Sequence, residues 1–173
     1  MKIIVASIIA LEIMFVTSAL PSEQSNDIAE TAMLSKYSLK ITKVKKGYSE
    51  SYVFFDSLLN PGSTYRLRYE MLPDEEKAKK AFTAMVQEYS RGPIPAQFNI
   101  GIQTEILKSN TGYVLCIQGN RCVVSLSAFN ESTKGYEKVS LEAGKSLAEF
   151  VVSALDRGVE HPFGAIKDMS HTE

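Results

Sequence analysis

Residues 65–82 read YRLRYEMLPDEEKAKKAF, and this stretch decides the fold class. Tyr65, Leu67, Tyr69 and Met71 alternate with Arg66, Arg68 and Glu70, the period of a strand with one buried face. Pro73-Asp74-Glu75-Glu76 then opens a helix. Asp74 suits the N-cap, and Glu75 and Glu76 sit in the first turn, where the helix dipole favours negative charge. That position explains the adjacent carboxylates without any acid–base role. Ala78, Ala81, Phe82, Met85 and Tyr89 fall on one helical face. Arg91-Gly92-Pro93 stops the helix.

Upstream of this stretch, Tyr37, Leu39 and Ile41 alternate with polar residues as one strand, and Ser51 to Phe55 form an apolar second. Asn60-Pro61-Gly62-Ser63 separates the second strand from the third. Downstream, Phe98, Ile100 and Ile102 alternate, Thr104 to Leu107 forms a short strand, and Tyr113–Ile117 pairs with Cys122–Phe129 as a hairpin. A second amphipathic helix spans about Ser140 to Asp156, with Leu147, Ala148, Val151, Ala154 and Leu155 on its stripe and Gly158 beyond it. The expected class is α+β, an antiparallel sheet of about six to seven strands covered by two amphipathic helices. Each half runs strand pair, acidic lead-in, amphipathic helix, which hints at an internal duplication. Helix-start chemistry arising twice independently explains the same letters.

The chain has 173 residues with 19 Lys+Arg against 20 Asp+Glu, a net charge of −1. That balance argues against a nucleic-acid partner. A hydrophobic fraction of 45% excludes a disordered chain, and two Cys exclude both a disulfide-dense scaffold and a four-Cys zinc site. The length fits one domain.

Met1-Lys2, the apolar run Ile3–Leu11 and Ile13–Val16, and the small residues Thr17-Ser18-Ala19 have the order of a cleavable secretory signal. Glu12 interrupts the run and weighs against a permanent anchor, because a carboxylate at mid-bilayer is costly. The expected organisation is a signal peptide over 1–19, a linker over 20–35, one α+β domain over 36–158 and a flexible tail over 159–173. The expected location is secreted or periplasmic. An uncleaved N-terminal anchor, holding the domain to the outside of a membrane, is the alternative, and that segment is the only membrane contact expected.

Cys116 and Cys122 flank the hairpin turn. A two-residue turn at Gly119-Asn120 sets Ile117 opposite Cys122 and Cys116 opposite Val123, with the two Cys on opposite faces. A three-residue turn centred on Gly119 sets Cys116 opposite Cys122, where a disulfide could form. Both registers stay open, and the pair is a candidate disulfide in an exported protein.

Catalytic patterns are missing from the sequence. His161 and His171 stand in or beside the tail, there is no Gly-x-Ser-x-Gly elbow and no phosphate-cradling glycine loop. No catalytic, metal or cofactor residue is assigned, and the chain is expected not to be an enzyme. One strip could bind an anion. If the first and third strands are neighbours, Lys40, Arg66 and Arg68 share the outward face with Tyr nearby. Asn130-Glu131-Ser132 is a glycan acceptor triplet.

Gly112-Tyr113-Val114-Leu115, Gln118-Gly119-Asn120 and Val123–Phe129, together with Tyr69–Phe82, resemble segments of uncharacterised exported α+β domains of bacteria and archaea. The resemblance covers about residues 65 to 156. It implies a place outside the cytoplasm and transfers no site residue. The expected function is an exported, non-enzymatic domain that binds a protein or small ligand. The rival expectations are an envelope-associated structural or assembly module and a hydrolase with an unrecognised site.

Overall fold

Three apolar residues of the first strand, Leu39, Ile41 and Val44, are spaced two and then three apart. A regular strand cannot place all three on one face. In the computed structural model, which describes residues 22–47, 49–89, 94–95, 98–108, 112–130 and 139–163, a bulge resolves the conflict. Ile41 pairs with Phe55 and Lys43 with Phe54, leaving Thr42 as the extra residue. The bulge keeps Val44 on the core face with Leu39 and Ile41. It also brings Lys43 and Lys45 to the same outer face as Lys40.

The strands are β1 (Leu39–Lys46), β2 (Glu50–Ser57), β3 (Ser63–Met71), β4 (Ile94–Pro95), β5 (Gln103–Lys108), β6 (Gly112–Gln118) and β7 (Cys122–Asn130). They form one sheet in the order β1-β2-β3-β7-β6-β5-β4, every pair antiparallel. Among the described residues that makes seven strands, or six without the two-residue β4. The helices are α1 (Ser22–Lys36), α2 (Glu75–Glu88) and α3 (Leu141–Asp156). The α+β class and the antiparallel sheet stand as expected. Among the described residues there are three helices rather than two, and they occupy both faces.

α3 packs on β7, β3 and β6. Its stripe Leu147, Ala148, Val151 and Leu155 meets Tyr65, Leu67, Leu115, Ile117, Val124 and Leu126, all buried. Ser140 caps the helix by accepting from Ala143 N–H at 3.2 Å. Its carbonyl accepts from the hydroxyls of Tyr113 at 2.8 Å and Tyr65 at 3.3 Å, so two strands hold the helix start. Gly144 allows this approach, because a Cβ there would collide with the Tyr113 hydroxyl.

α2 lies on the other face, over β6 and β7. Asp74 caps it by accepting from Lys77 N–H at 2.8 Å, as the sequence indicates. Ala78, Phe82 and Met85 pack on Leu107, Val114, Cys116 and Val123. A duplicated unit built about the antiparallel β3–β7 pair would carry both helices on one face. Here α2 and α3 lie on opposite faces, so the hint of duplication is not supported.

Three further expectations are corrected. Residues 22–36 are not linker but the helix α1, which packs against α3 and β1. Its inward residues include the polar Asn26 and Glu30, so no apolar stripe announced it. Residues 98–102 form no strand. Gly101 turns the chain at φ +66°, and Thr104 Oγ1 accepts from Ile100 N–H at 2.8 Å. Residues 159–163 are not a loose tail: Pro162 and Phe163 are buried, with the Phe163 ring edge-on to Phe55 at 5.2 Å. Asn26 Nδ2 donates to Pro162 O at 2.7 Å and ties α1 to this segment. The expected signal over 1–19 and the rest of the tail, from residue 164, lie outside the described residues. No helix among the described residues is long and apolar enough to cross a membrane.

Candidate functional site

α2 covers only the β5-β6-β7 half of its sheet face. The β1-β2-β3 half has no helix over it among the described residues, and the pairing sorts its side chains into cross-strand rows. Lys40, Asp56 and Thr64 form the first. Lys43, Phe54, Arg66 and Ser127 form the second, and Lys45, Tyr52, Arg68 and Ser125 the third. Glu50 and Glu70 close the sequence of rows. Two adjacent rows thus repeat the order Lys, aromatic, Arg, Ser. Rows on one face are about 7 Å apart along the strands.

Lys40, Arg66 and Arg68 do share this face. The premise behind that expectation is corrected, because β1 and β3 are not neighbours and β2 runs between them. The faces agree because antiparallel pairing through β2 preserves them. Nor is the strip purely basic, since β2 inserts Asp56 and Glu50.

The two arginines differ in partners. Arg68 is half-buried and pairs with Glu50 and, at 3.6 Å, with Glu88 of α2. Glu50 also accepts from the Tyr52 hydroxyl at 2.6 Å. That bond is the main reason the Glu50 carboxyl is held below its ordinary range, with Arg68 adding to it and burial opposing. The Tyr52 phenol is pushed up in return. Burial works against the Arg68 charge, yet its bond to Glu50 and the nearby negative charges hold it above its ordinary value. Glu70 is pushed up by burial and by Glu50.

Arg66 is exposed, with its guanidinium 5.1 Å from the Tyr52 ring centre and 5.7 Å from that of Phe54. Among the described residues it makes no ion pair. Stacking on two rings fixes the planar cation and leaves its N–H edges to solvent. Such a fork takes a carboxylate or phosphate two-pronged, and Lys43 stands in the same row to add charge.

Sequence reasoning missed the stacking rings and the two extra lysines. Tyr52 and Phe54 were hidden inside a run that read as wholly apolar, although Val53 and Phe55 alternate with them. Lys43 and Lys45 needed the bulge, which no single strand's pattern declares.

The cysteines do not form a disulfide. The hairpin loop is Asn120-Arg121, with Gly119 N–H donating to Cys122 O at 2.9 Å. Cys116 therefore lies opposite Ser125, in neither of the two expected registers. The register differs by two residues from the Gly119-Asn120 turn, so the faces match that reading. Cys122 points toward α3 and Cys116 toward α2, as free buried thiols. Burial pushes both up to about 12, with Glu105 and Glu88 adding to the effect on Cys116 and Asp156 to that on Cys122. A thiol so protonated is a poor nucleophile.

A concavity of about 410 Å³ lies between α3 and residues 99–101, lined by Asn99, Gly101, Glu149, Ser153, Asp156 and Arg157 among others. Both of its carboxylates are engaged: Asp156 Oδ1 accepts from Asn120 N–H at 3.0 Å, and Glu149 lies 4.0 Å from Lys145 Nζ. His161 is exposed, and His171 lies outside the described residues. Asn130 is buried and donates to Ser63 Oγ at 2.7 Å, so its side-chain amide is enclosed in the folded protein.

No family model, no curated protein and no solved structure matches the chain.

Proposed function

We propose that this chain is an exported, non-enzymatic binding module that holds an anionic ligand on the uncovered β1-β2-β3 half of its sheet. One observation carries the reading: Arg66, exposed, stacked over Tyr52 and Phe54, and in no ion pair among the described residues. A side chain already fixed in place loses little entropy on binding. Lys43 and Lys45 add positive charge in the same rows, while Ser127 and Thr64 offer hydroxyls. Export is supported by the signal-like order of residues 1–19. The non-enzymatic reading is supported by thiols held protonated in the interior.

Titration with poly-L-glutamate, followed by backbone amide NMR, tests this. Shifts are expected along residues 40–45, 52–56 and 64–68, and added salt should weaken them. Arg66→Ala should weaken binding about tenfold without loss of fold, because its side chain is exposed. Shifts confined to the concavity of Asn99 and Asp156, or equal binding by Arg66→Ala, would overturn the reading.

A further inference from the structure

The β2–β3 hairpin ends in Leu58-Leu59-Asn60-Pro61-Gly62. Leu58 is 63% exposed and Leu59 69%, the third and the first most exposed of the large apolar residues described. They are not there by slackness. Asn60 N–H donates to Ser57 Oγ at 3.1 Å, Ser63 N–H to Asn60 O at 2.9 Å, and Leu58 N–H to Ser38 O at 2.8 Å. Three hydrogen bonds brace the tip with both leucines turned to water. Two adjacent apolar side chains held out by an ordered turn call for an apolar acceptor.

Their surroundings say which kind. The Lys40–Asp56–Thr64 row is the first below the tip, and Lys43, Phe54 and Arg66 form the next. Lys36 ends α1 beside Ser38, and Lys108 ends β5 at this same end of the sheet. Among the described residues the carboxylates here are Asp56, in the row of Lys40, and Glu142, which belongs to α3 on the far face. At the opposite end Glu50, Glu70, Asp74, Glu75, Glu76 and Asp156 stand among the cations Lys46, Lys77, Arg121 and Arg157. Among the described residues, cations therefore outnumber carboxylates around the apolar tip, while the other end mixes the two signs. Apolar side chains beside lysine and arginine, with aromatic rings behind, suit the interface of an anionic bilayer.

We propose that the anionic partner is a membrane surface. Leu58 and Leu59 enter the acyl boundary, while Lys40, Lys43 and Arg66 engage anionic headgroups. The inference rests on the anion-binding reading above and goes further, since it places a membrane contact in the folded domain and not only in residues 1–19. No covalent step is involved, and the carboxylates of the opposite end are left facing away from the bilayer.

The chain contains no tryptophan, so Leu59→Trp installs a single reporter. With vesicles of phosphatidylcholine and phosphatidylglycerol, its emission should shift to the blue and the protein should co-sediment. Vesicles of phosphatidylcholine alone should do neither. The double variant Leu58→Ser/Leu59→Ser should lose about tenfold in vesicle binding yet bind poly-L-glutamate as the parent does. Arg66→Ala should weaken both. Binding of poly-L-glutamate without binding to either vesicle would overturn the membrane inference and leave the anion-binding reading standing. Failure to bind either probe would overturn both. Vesicle binding unchanged in the double serine variant would overturn the role of the tip.

Discussion

Glu30 is 3% exposed, and its Oε2 has no hydrogen-bond partner among the described residues. One turn before it, Asn26 Oδ1 is likewise unpartnered, although Asn26 Nδ2 holds Pro162 O. Burial, with Asp27 adding repulsion, pushes the Glu30 carboxyl from 4.5 up to about 7. A raised acid favours the fold only while protonated. Its contribution is complete below 4.5, where both folded and unfolded chains carry the proton, and is lost as pH climbs to about 7. Stability should therefore fall across that interval. Glu30→Gln keeps the shape and removes the charge. It should leave stability unchanged below 4.5 and raise it by about 2 kcal/mol above 7, read by urea unfolding at both ends. A parent protein whose stability rises across the same interval would contradict this.

Secondary-structure elements depend on contacts that their own sequences do not advertise. Residues 159–163, after α3, are five residues without periodicity, yet Phe163 sits against Phe55 and Phe150, at 5.2 Å and 5.4 Å between ring centres. Phe163→Ala should cost about 3 kcal/mol or more, measured by thermal unfolding, whereas a true tail residue would cost nothing. α2 and α3 were legible because capping residues and apolar stripes coincide: Asp74 and Ser140 start them where the letters say. α1 was not, because Asn26 and Glu30 are buried by packing on α3 and Pro162 rather than by apolar character. The β3 alternation read directly, since its neighbours on both sides obey the same period. The β1 reading stopped short because Thr42 rephases the strand. For the same reason only part of the candidate site was legible. Lys40, Arg66 and Arg68 follow from simple alternation, whereas Lys43 and the stacking rings follow from pairing. The hairpin at Asn120-Arg121 shows the limit of turn chemistry: Gly119 looked like a turn centre and is instead its last paired residue.

Across the whole molecule the sheet is sandwiched on one half and bare on one side of the other. β6 and β7 lie between α2 and α3, and every residue of β6 is buried. β1 and β2 have core on one side and solvent on the other, and β1 is an edge. Amide hydrogen exchange should follow this division, slowest in β6 and β7 and fastest among the strands in β1. Equal protection across the sheet would show that the bare half is closed in solution. The edge carries four lysines over Leu39–Lys46 and a bulge, both of which discourage another strand from pairing there. A consequence concerns compliance. The sandwiched strands act as a stiff plate, while the β1–β2 hairpin can flex against it with less resistance, so a curved or uneven surface meeting that side could be matched without disturbing the plate.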